Sequence, residues 1–320
     1  MQSFRNLIFW LLMGLALPHS ASAQRPAFHR QYAFGPKSQM FQVDTTLNIK
    51  RKRRISAIAA GGYGVAALYL GTVWYGGEDL APFHFFNDGH EWQQVDKFGH
   101  ALGSYSASRW MISLYKWAGV PKERAMWIGG LSGFLAMSSV EVFDGFGETW
   151  GFSWWDVAAN SVGSGLAVLN QGLWHEDRLQ LKVSYRRSPY SYSDDPRFQD
   201  LFGSNPAEWL LKDYNGHTLW LSVNLHSFLP ESNFKDKYPP WLNLAVGYGA
   251  ENLEGGYDDP TSDWRTREYR QLYLSVDFDL TKIKTRSGFL HTLFRVVNII
   301  RIPLPAVRFD REGVALRAFE

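Results

Sequence analysis

Residues 270–280, Arg-Gln-Leu-Tyr-Leu-Ser-Val-Asp-Phe-Asp-Leu, alternate between apolar and polar side chains over nearly their whole length. A period of two is typical of a β-strand with one face buried. Three earlier segments share this pattern: Leu181–Tyr185, Leu219–Leu225 and Leu242–Tyr248. Turn residues separate the segments, so the sequence predicts an antiparallel β-rich part over residues 179–320. Within it, Phe289–Ile300 is predicted as a short helix and Val307–Phe319 as a final hairpin.

The first half of the chain has a helical pattern instead. Ile55–Tyr75 is an uncharged apolar run, and three further helices are predicted: Glu91–Trp117, Lys122–Phe143 and Trp154–Gln171. Ser153 and Asp156 form an S-x-x-D cap at the start of the last helix, and its Gly163 and Gly165 favour close packing against a neighbouring backbone. The predicted fold class is therefore α+β. A membrane-associated helical bundle of about four helices, residues 51–178, precedes the β-rich domain.

The N-terminal residues indicate export. Met1–Ala23 has a basic start, an apolar run at Leu7–Leu17 and small residues at Ala21 and Ala23, as in a secretory signal peptide. Cleavage would leave Gln24 at the start of a polar segment, residues 24–50. An uncleaved anchor helix is the alternative, although the apolar run is short for a membrane span.

The topology of Ile55–Tyr75 is left open by its flanking charges. The run is long enough to cross a bilayer, and the basic residues 51–54 precede it. If residue 24 emerges outside the inner membrane, these basic residues also lie outside, which reverses the positive-inside rule. Either the run does not span the inner membrane, or it packs within a helical cluster at another envelope surface. We favour the second interpretation.

The composition excludes several classes of protein. The 320 residues contain no cysteine, so disulfides, thiolate metal sites and a lipid-modified N-terminal cysteine are excluded. A formal net charge of +2 is too balanced for a dedicated nucleic-acid binder, so no nucleic acid is expected as a partner. Aromatic residues make up 16% of the chain, which fits contact with a membrane interface. The expected partner is a membrane lipid or an envelope protein, and no organic cofactor is predicted.

Ionisable side chains inside the apolar helices are the candidate site. They come in pairs that share a helix face, because they lie three or four residues apart. The candidates are Asp96, Lys97 and His100 on one helix, Glu141 and Asp144 on the next, and Asp156 and Asn160 on the last. Buried carboxylates are costly unless they are paired or bound to a cation, so we expect the three helices to turn these groups toward a shared interior.

Two interpretations of this cluster remain open. In the first it is structural: Asp156 caps a helix, Asp96 pairs with Lys97 or Arg109, and His100 is a hydrogen-bonded core residue. In the second it is a catalytic or metal site, with His100, Asp96, Glu141 and Asp156 as weak candidate metal ligands. No HExxH, GxSxG or P-loop motif is present to decide between them.

The same residues carry a family resemblance. Residues 87–92 (NDGHEW), 96–101 (DKFGHA), 141–146 (EVFDGF) and 150–156 (WGFSWWD) resemble the YfiM-like family of predicted periplasmic proteins, a domain of unknown function. The resemblance covers roughly residues 83–174. With its β-rich part, the chain is similar to a longer form from Bacteroidota. The enterobacterial form is a lipoprotein, from which this chain departs because it has no cysteine.

A weaker similarity is to VanZ-like membrane proteins, through Asp96, Lys97 and His100, then Glu141, then Asp156 and Asn160. Neither resemblance implies a reaction. We therefore expect a non-enzymatic, membrane-associated envelope protein in which the polar cluster fixes how the helices pack. The alternative is a membrane-proximal hydrolase or transferase acting on a lipid or cell-wall precursor, with His100 as the base. An outer-membrane β-barrel is a third, less favoured possibility.

Overall fold

The structure is a computed structural model, and it describes residues 44, 46–75, 80–257 and 266–318. The predicted signal peptide, Met1–Ala23, and most of the polar segment at residues 24–50 lie outside the described residues. The described part has an α+β architecture, with the long helices in the N-terminal half and one antiparallel six-stranded sheet in the C-terminal part.

Four long helices form the N-terminal half: α1 (Ile49–Tyr75), α2 (Val95–Trp117), α3 (Lys122–Asp144) and α4 (Trp154–Leu169). Helix α2 is central, because both α3 and α4 pack along it. Helix α1 contacts the bundle near its own start, where Ile55 is buried against Tyr115 and Val120. Among the described residues, α3 is the helix that is long and apolar enough to cross a membrane, by length and composition alone.

Close helix packing depends on particular glycines. A Cβ atom at Gly163 of α4 would lie 2.0 Å from the backbone oxygen of Ala101 on α2, so α4 can approach α2 this closely only with glycine there. Gly133 of α3 has the same role against Ser108 of α2. By contrast, Gly165 and the two glycines at 61 and 62 of α1 face open space. The prediction of close packing thus holds at Gly163 and fails at Gly165.

Two predicted helix boundaries were wrong. Glu91–Gln94 forms a separate 3₁₀ turn before α2, because three successive residues from Trp92 to Gln94 have positive φ angles. This is a strained conformation for residues with side chains, and hydrogen bonds hold it, such as Trp92 N to Gly256 O at 2.7 Å. At the other boundary, α4 changes at Asn170 into a π-helical turn, since the Asn170 side chain binds the backbone of Arg178 and Leu179.

The sheet is an antiparallel meander in which sequence neighbours pair in order. Its strands are β1 (Leu179–Tyr185), β2 (His217–Val223), β3 (Leu242–Glu251), β4 (Tyr269–Phe278), β5 (Ala306–Asp310) and β6 (Gly313–Arg317). Short helices occupy the connections: α5 (Pro196–Phe202), α6 (Pro206–Lys212), α7 (Asn233–Lys237) and α8 (Gly288–Val297). The four predicted strands, the short helix and the final hairpin are present, with ends shifted by a few residues.

The two faces of the sheet have an unusual distribution of polarity. The inner face is buried and largely polar, with Lys182, Ser222, Asn243 and Asp277 among its residues. Residues 298–301, which follow α8, cover this face and the free edge of β1, where Val183 bridges Ile300 in parallel. The outer face is apolar and partly exposed.

The helical half and the sheet share a core at one end of the outer face. Val95 at the start of α2 is buried with Leu219, Ala250 and Leu253 of the β-rich part. Further along α2, Tyr105 and Ile112 pack with Ala167 of α4, and Leu181 of β1 lies against them. This contact positions the first turns of α2 next to the loops of the sheet. The division into domains at residue 178 stays a prediction.

Candidate functional site

The chain direction of the helices brings the predicted polar residues to one end of the bundle. Helix α2 starts there, α3 returns and ends there, and α4 starts there again, as the pairing of His100 with Glu141 and of Lys97 with Asp156 shows. The side chains on these turns are buried or nearly so. The predicted convergence of three helices on a shared polar interior is therefore present in the structure.

Lys97 is the central cation of this cluster. Its Nζ atom has three carboxylate partners: Asp88 Oδ2 at 2.5 Å, Asp96 Oδ2 at 2.9 Å and Asp156 Oδ1 at 2.8 Å. Asp96 pairs with Lys97 and not with Arg109, which binds Asp177 at 2.6 Å instead. The ammonium thus joins α2, α4 and the loop before α2 through charge-assisted hydrogen bonds.

His100 lies on the other side of the same carboxylates. Its Nε2 atom is 3.7 Å from Asp96 Oδ1 and 4.0 Å from Asp156 Oδ1. Its Nδ1 atom is 3.3 Å from Glu141 Oε1, which is within hydrogen-bond distance but not aligned for a hydrogen bond. Both ring nitrogens of this one imidazole therefore face carboxylates from three helices.

Three cluster residues were not among the predicted site residues. Asp88, in the loop before α2, is buried and accepts a hydrogen bond from Ser153 Oγ at 2.5 Å. The same Ser153 hydroxyl accepts from the backbone N–H of Asp156 and caps α4, so it is Ser153 that caps the helix and the Asp156 side chain faces Lys97. Tyr214, from the β-rich part, donates to Asp96 Oδ1 at 3.1 Å. Asp88 and Ser153 had a sequence signal, since both lie within motifs of the resemblance and Ser153 opens the S-x-x-D cap.

The carboxyl groups divide into two electrostatic classes. Burial alone would raise the pKa of Asp96, but the neighbouring His100 and Lys97 lower it below its ordinary value. Burial and the negative charges of Asp156 and Asp144 raise the pKa of Glu141 far above that of an ordinary glutamate. Burial and the charge of Asp96 likewise raise the pKa of Asp156. The cluster has more carboxylates than its one ammonium can neutralise.

Several buried atoms in the cluster have no hydrogen-bond partner among the described residues. They are both carboxylate oxygens of Glu141, which is 1% exposed, and both side-chain amide atoms of Asn160, which is 0% exposed. Asn160 lies one turn after Asp156 on α4, on the side where its backbone oxygen meets Ser104 of α2. Buried polar groups are normally paired with protein, ordered water or a ligand, so these atoms have capacity for such a partner.

The geometry permits two kinds of chemistry. Asp96, His100 and Asp156 each offer one ligand atom, and these atoms lie within 4.8 Å of one another, which suits a divalent cation. His100 between carboxylates also has the environment of a general base. Asp144 ends α3 one turn beyond Glu141 and acts on the cluster through its charge.

Comparison with known proteins gives a match over the bundle. No curated protein and no solved structure matches the chain. Residues 84–172, which include all seven predicted site residues, match the family described as "Predicted periplasmic lipoprotein (DUF2279)". The lipid attachment named in that description requires a cysteine, and the 320 residues contain none. The match supports a family of periplasmic proteins of unknown function, and it identifies the chain as an exported envelope protein, periplasmic or membrane-associated.

Proposed function

We propose that the protein is a non-enzymatic, membrane-associated envelope protein whose buried polar cluster fixes the packing of its helices. The observation that carries this proposal is the outer face of the sheet. In water, a sheet buries its apolar face and exposes its polar face. Here the polar face is buried, and the apolar face is partly exposed beyond its contact with the helical half.

The outer face consists of apolar rows that run across the strands. The strand register aligns the first row as Leu221, Val246, Leu274, Val307 and Leu316, on β2 to β6. A second row aligns Leu272, Phe309 and Val314. At the end of these rows, Val314 and Leu316 are 70% and 76% exposed. A continuous apolar surface of this extent is typical of a site that contacts a membrane or a partner protein.

The helices expose apolar residues as well. Trp127, Leu131 and Leu135 form an exposed stripe along α3, since they are spaced four residues apart. Trp154 and Val162 of α4 are also exposed. The stripe on α3 lies within the helix that is apolar enough for a bilayer. We take a lipid surface as the common partner, because it accepts helix and sheet faces alike without matching shapes.

The proposal also includes the family resemblance and the domain boundaries. The resemblance to the YfiM-like family, and to its long form in Bacteroidota, supports a two-part envelope protein with a helical domain at residues 51–178 and a β-rich domain at residues 179–320. An envelope protein covering the outer face is the alternative to lipid.

Carbonate extraction tests the membrane proposal. We expect the full chain, expressed in a Gram-negative host, to remain in the membrane pellet at alkaline pH. The double substitution Val246→Arg and Leu274→Arg should release it, because it places two charges on the apolar surface that is proposed to contact lipid. Phe234→Arg, at an exposed apolar position on α7, is the control and should behave as wild type. Release of the wild-type chain by carbonate would contradict insertion of the apolar surfaces into lipid.

A second candidate function is a membrane-proximal hydrolase or transferase. It is favoured by His100, whose two nitrogens face carboxylates in a cluster that contains unpaired polar atoms. In this function His100 would act as the base, with Asp96, Glu141 and Asp156 orienting it or holding a ligand.

Substitution of Asp96 discriminates the two functions. Asp96→Asn should lower the amount of protein several-fold, since it removes a carboxylate from Lys97 and costs about 1–3 kcal/mol. Asp194→Asn, at an exposed position, should have no effect. The measurement is protein abundance beside an envelope phenotype, also for His100→Ala. Loss of the phenotype at normal abundance would contradict a purely structural role and favour the enzyme.

A further inference from the structure

The arrangement of Asp96, His100 and Asp156 matches a metal-coordination shell. A cation with bonds of about 2.1 Å keeps tetrahedral ligand atoms about 3.4 Å apart. The imidazole Nε2 of His100 is 3.7 Å from Asp96 Oδ1 and 4.0 Å from Asp156 Oδ1, close to that spacing. Lys97 does not block this position on Asp96, because it binds the other oxygen, Oδ2.

The residues around Asp96, His100 and Asp156 are placed to orient these three ligands, as outer-shell residues do in metal sites. A metal-binding histidine usually donates its second ring N–H to a carboxylate, which fixes the ring and its tautomer. Glu141 Oε1 lies 3.3 Å from His100 Nδ1, and a small rotation of either side chain would align it for that role. Tyr214 donates to Asp96 Oδ1, and Lys97 binds Asp156 Oδ1. Each of these oxygens keeps a second lone pair for a cation.

The Asn160 side chain is an independent observation that points to a ligand. Asn160 is fully buried, lies one turn after Asp156 on the side of α4 that faces α2, and has neither amide atom paired within the described residues. A metal ion that keeps bound water would supply a partner for such an amide. The composition of the cluster agrees, since four carboxyl groups (Asp88, Asp96, Glu141 and Asp156) accompany one lysine, Lys97.

We infer that Asp96, His100 and Asp156 bind one divalent transition-metal cation, with Glu141 as the residue that positions His100. One imidazole with two carboxylates suits Zn²⁺ or Mn²⁺ better than Mg²⁺ or Ca²⁺, which prefer oxygen ligands alone. The inference does not depend on membrane attachment.

Metal titration of the purified full chain in detergent tests the site. After treatment with EDTA and its removal, the chain is titrated with ZnCl₂ or MnCl₂, and bound metal and melting temperature are measured. We expect one equivalent of one of these metals per chain and a higher melting temperature. His100→Gln should reduce the affinity at least 100-fold, and Glu141→Gln by about 10–100-fold, as found when outer-shell partners are removed. His90→Gln, at an exposed histidine six residues before Asp96, should bind as wild type.

The melting curve in EDTA shows which variants are folded, and Glu141→Gln serves as the test if His100→Gln does not fold. A folded wild-type chain that binds neither metal at 1 mM would overturn the inference, as would unchanged affinity in both variants. The two proposals fail separately. A chain that resists carbonate but binds no metal contradicts the metal site alone, and one that binds metal but is released by carbonate contradicts membrane attachment alone.

Discussion

Lys182→Met is expected to destabilise the protein by about 3–5 kcal/mol, because it leaves a buried carboxylate without its cation. Lys182 of β1 and Asp277 of β4 form an ion pair of 2.7 Å on the inner face of the sheet, with side-chain exposures of 1% and 0%. A buried charge that loses its partner keeps its full desolvation cost, and methionine offers no donor in place of the ammonium.

The surroundings of Lys182 increase the expected loss. Its Nζ atom also donates to Phe278 O at 2.8 Å and to Asn298 Oδ1 at 3.2 Å. The second bond holds residues 298–301 over the inner face, where Asn298 also donates to Gln180 Oε1. The substitution therefore weakens both the pair between strands and the segment that covers the polar interior.

Thermal unfolding in detergent measures this effect. A loss of 3–5 kcal/mol corresponds to a melting temperature lower by roughly 6–15 °C in a chain of this size. The double variant Lys182→Met with Asp277→Leu should recover part of the loss, because both charges are then absent. Lys235→Met, in an exposed ion pair with Glu231, should leave the melting temperature unchanged. Equal melting of Lys182→Met and wild type would show that the inner face is open to water.

The alternation in the sequence predicts the strands but not which face they bury. Arg270–Leu280 shows a period of two whether its apolar or its polar side is inside. That choice depends on the medium around the outer face, and on residues 298–301, which supply Asn298 and Arg301 as polar partners far along the chain. The expectation of a half-buried strand was therefore correct in its period, while the structure buries the polar side.

The candidate site was predictable where it depends on helix periodicity. Asp96 and His100 share a face, and so do Asp156 and Asn160, because each pair is four residues apart. Asp88 and Tyr214 could not be predicted in this way. Asp88 lies in a loop, and Tyr214 reaches Asp96 only because α2 packs against the sheet, 118 residues later in the chain.

Gly163→Ala adds one methyl group, and it is expected to be the most disruptive such change in the helical half. The added Cβ atom would lie 2.0 Å from Ala101 O and 2.8 Å from Ala101 C, and these are backbone atoms of the central helix α2. No rotamer change relieves such a contact, so α4 has to move away from α2. Overpacking of this kind costs about 3 kcal/mol.

The movement would reach the polar cluster, because Asp156 lies two turns and Asn160 one turn before Gly163 on the same helix. It would stretch the bond of 2.7 Å from Ser104 Oγ to Asn160 O and separate Asp156 from Lys97 and His100. We therefore expect Gly163→Ala to lower the melting temperature by roughly 6–10 °C. Gly165→Ala, two residues along the same helix, has open space at its Cβ and should stabilise the chain by up to about 1 kcal/mol through helix propensity. Each variant removes one glycine from α4. A lower melting temperature for Gly163→Ala than for Gly165→Ala would therefore show that close contact with α2 holds the cluster together. If both variants melt alike, α4 does not pack on α2 at Gly163.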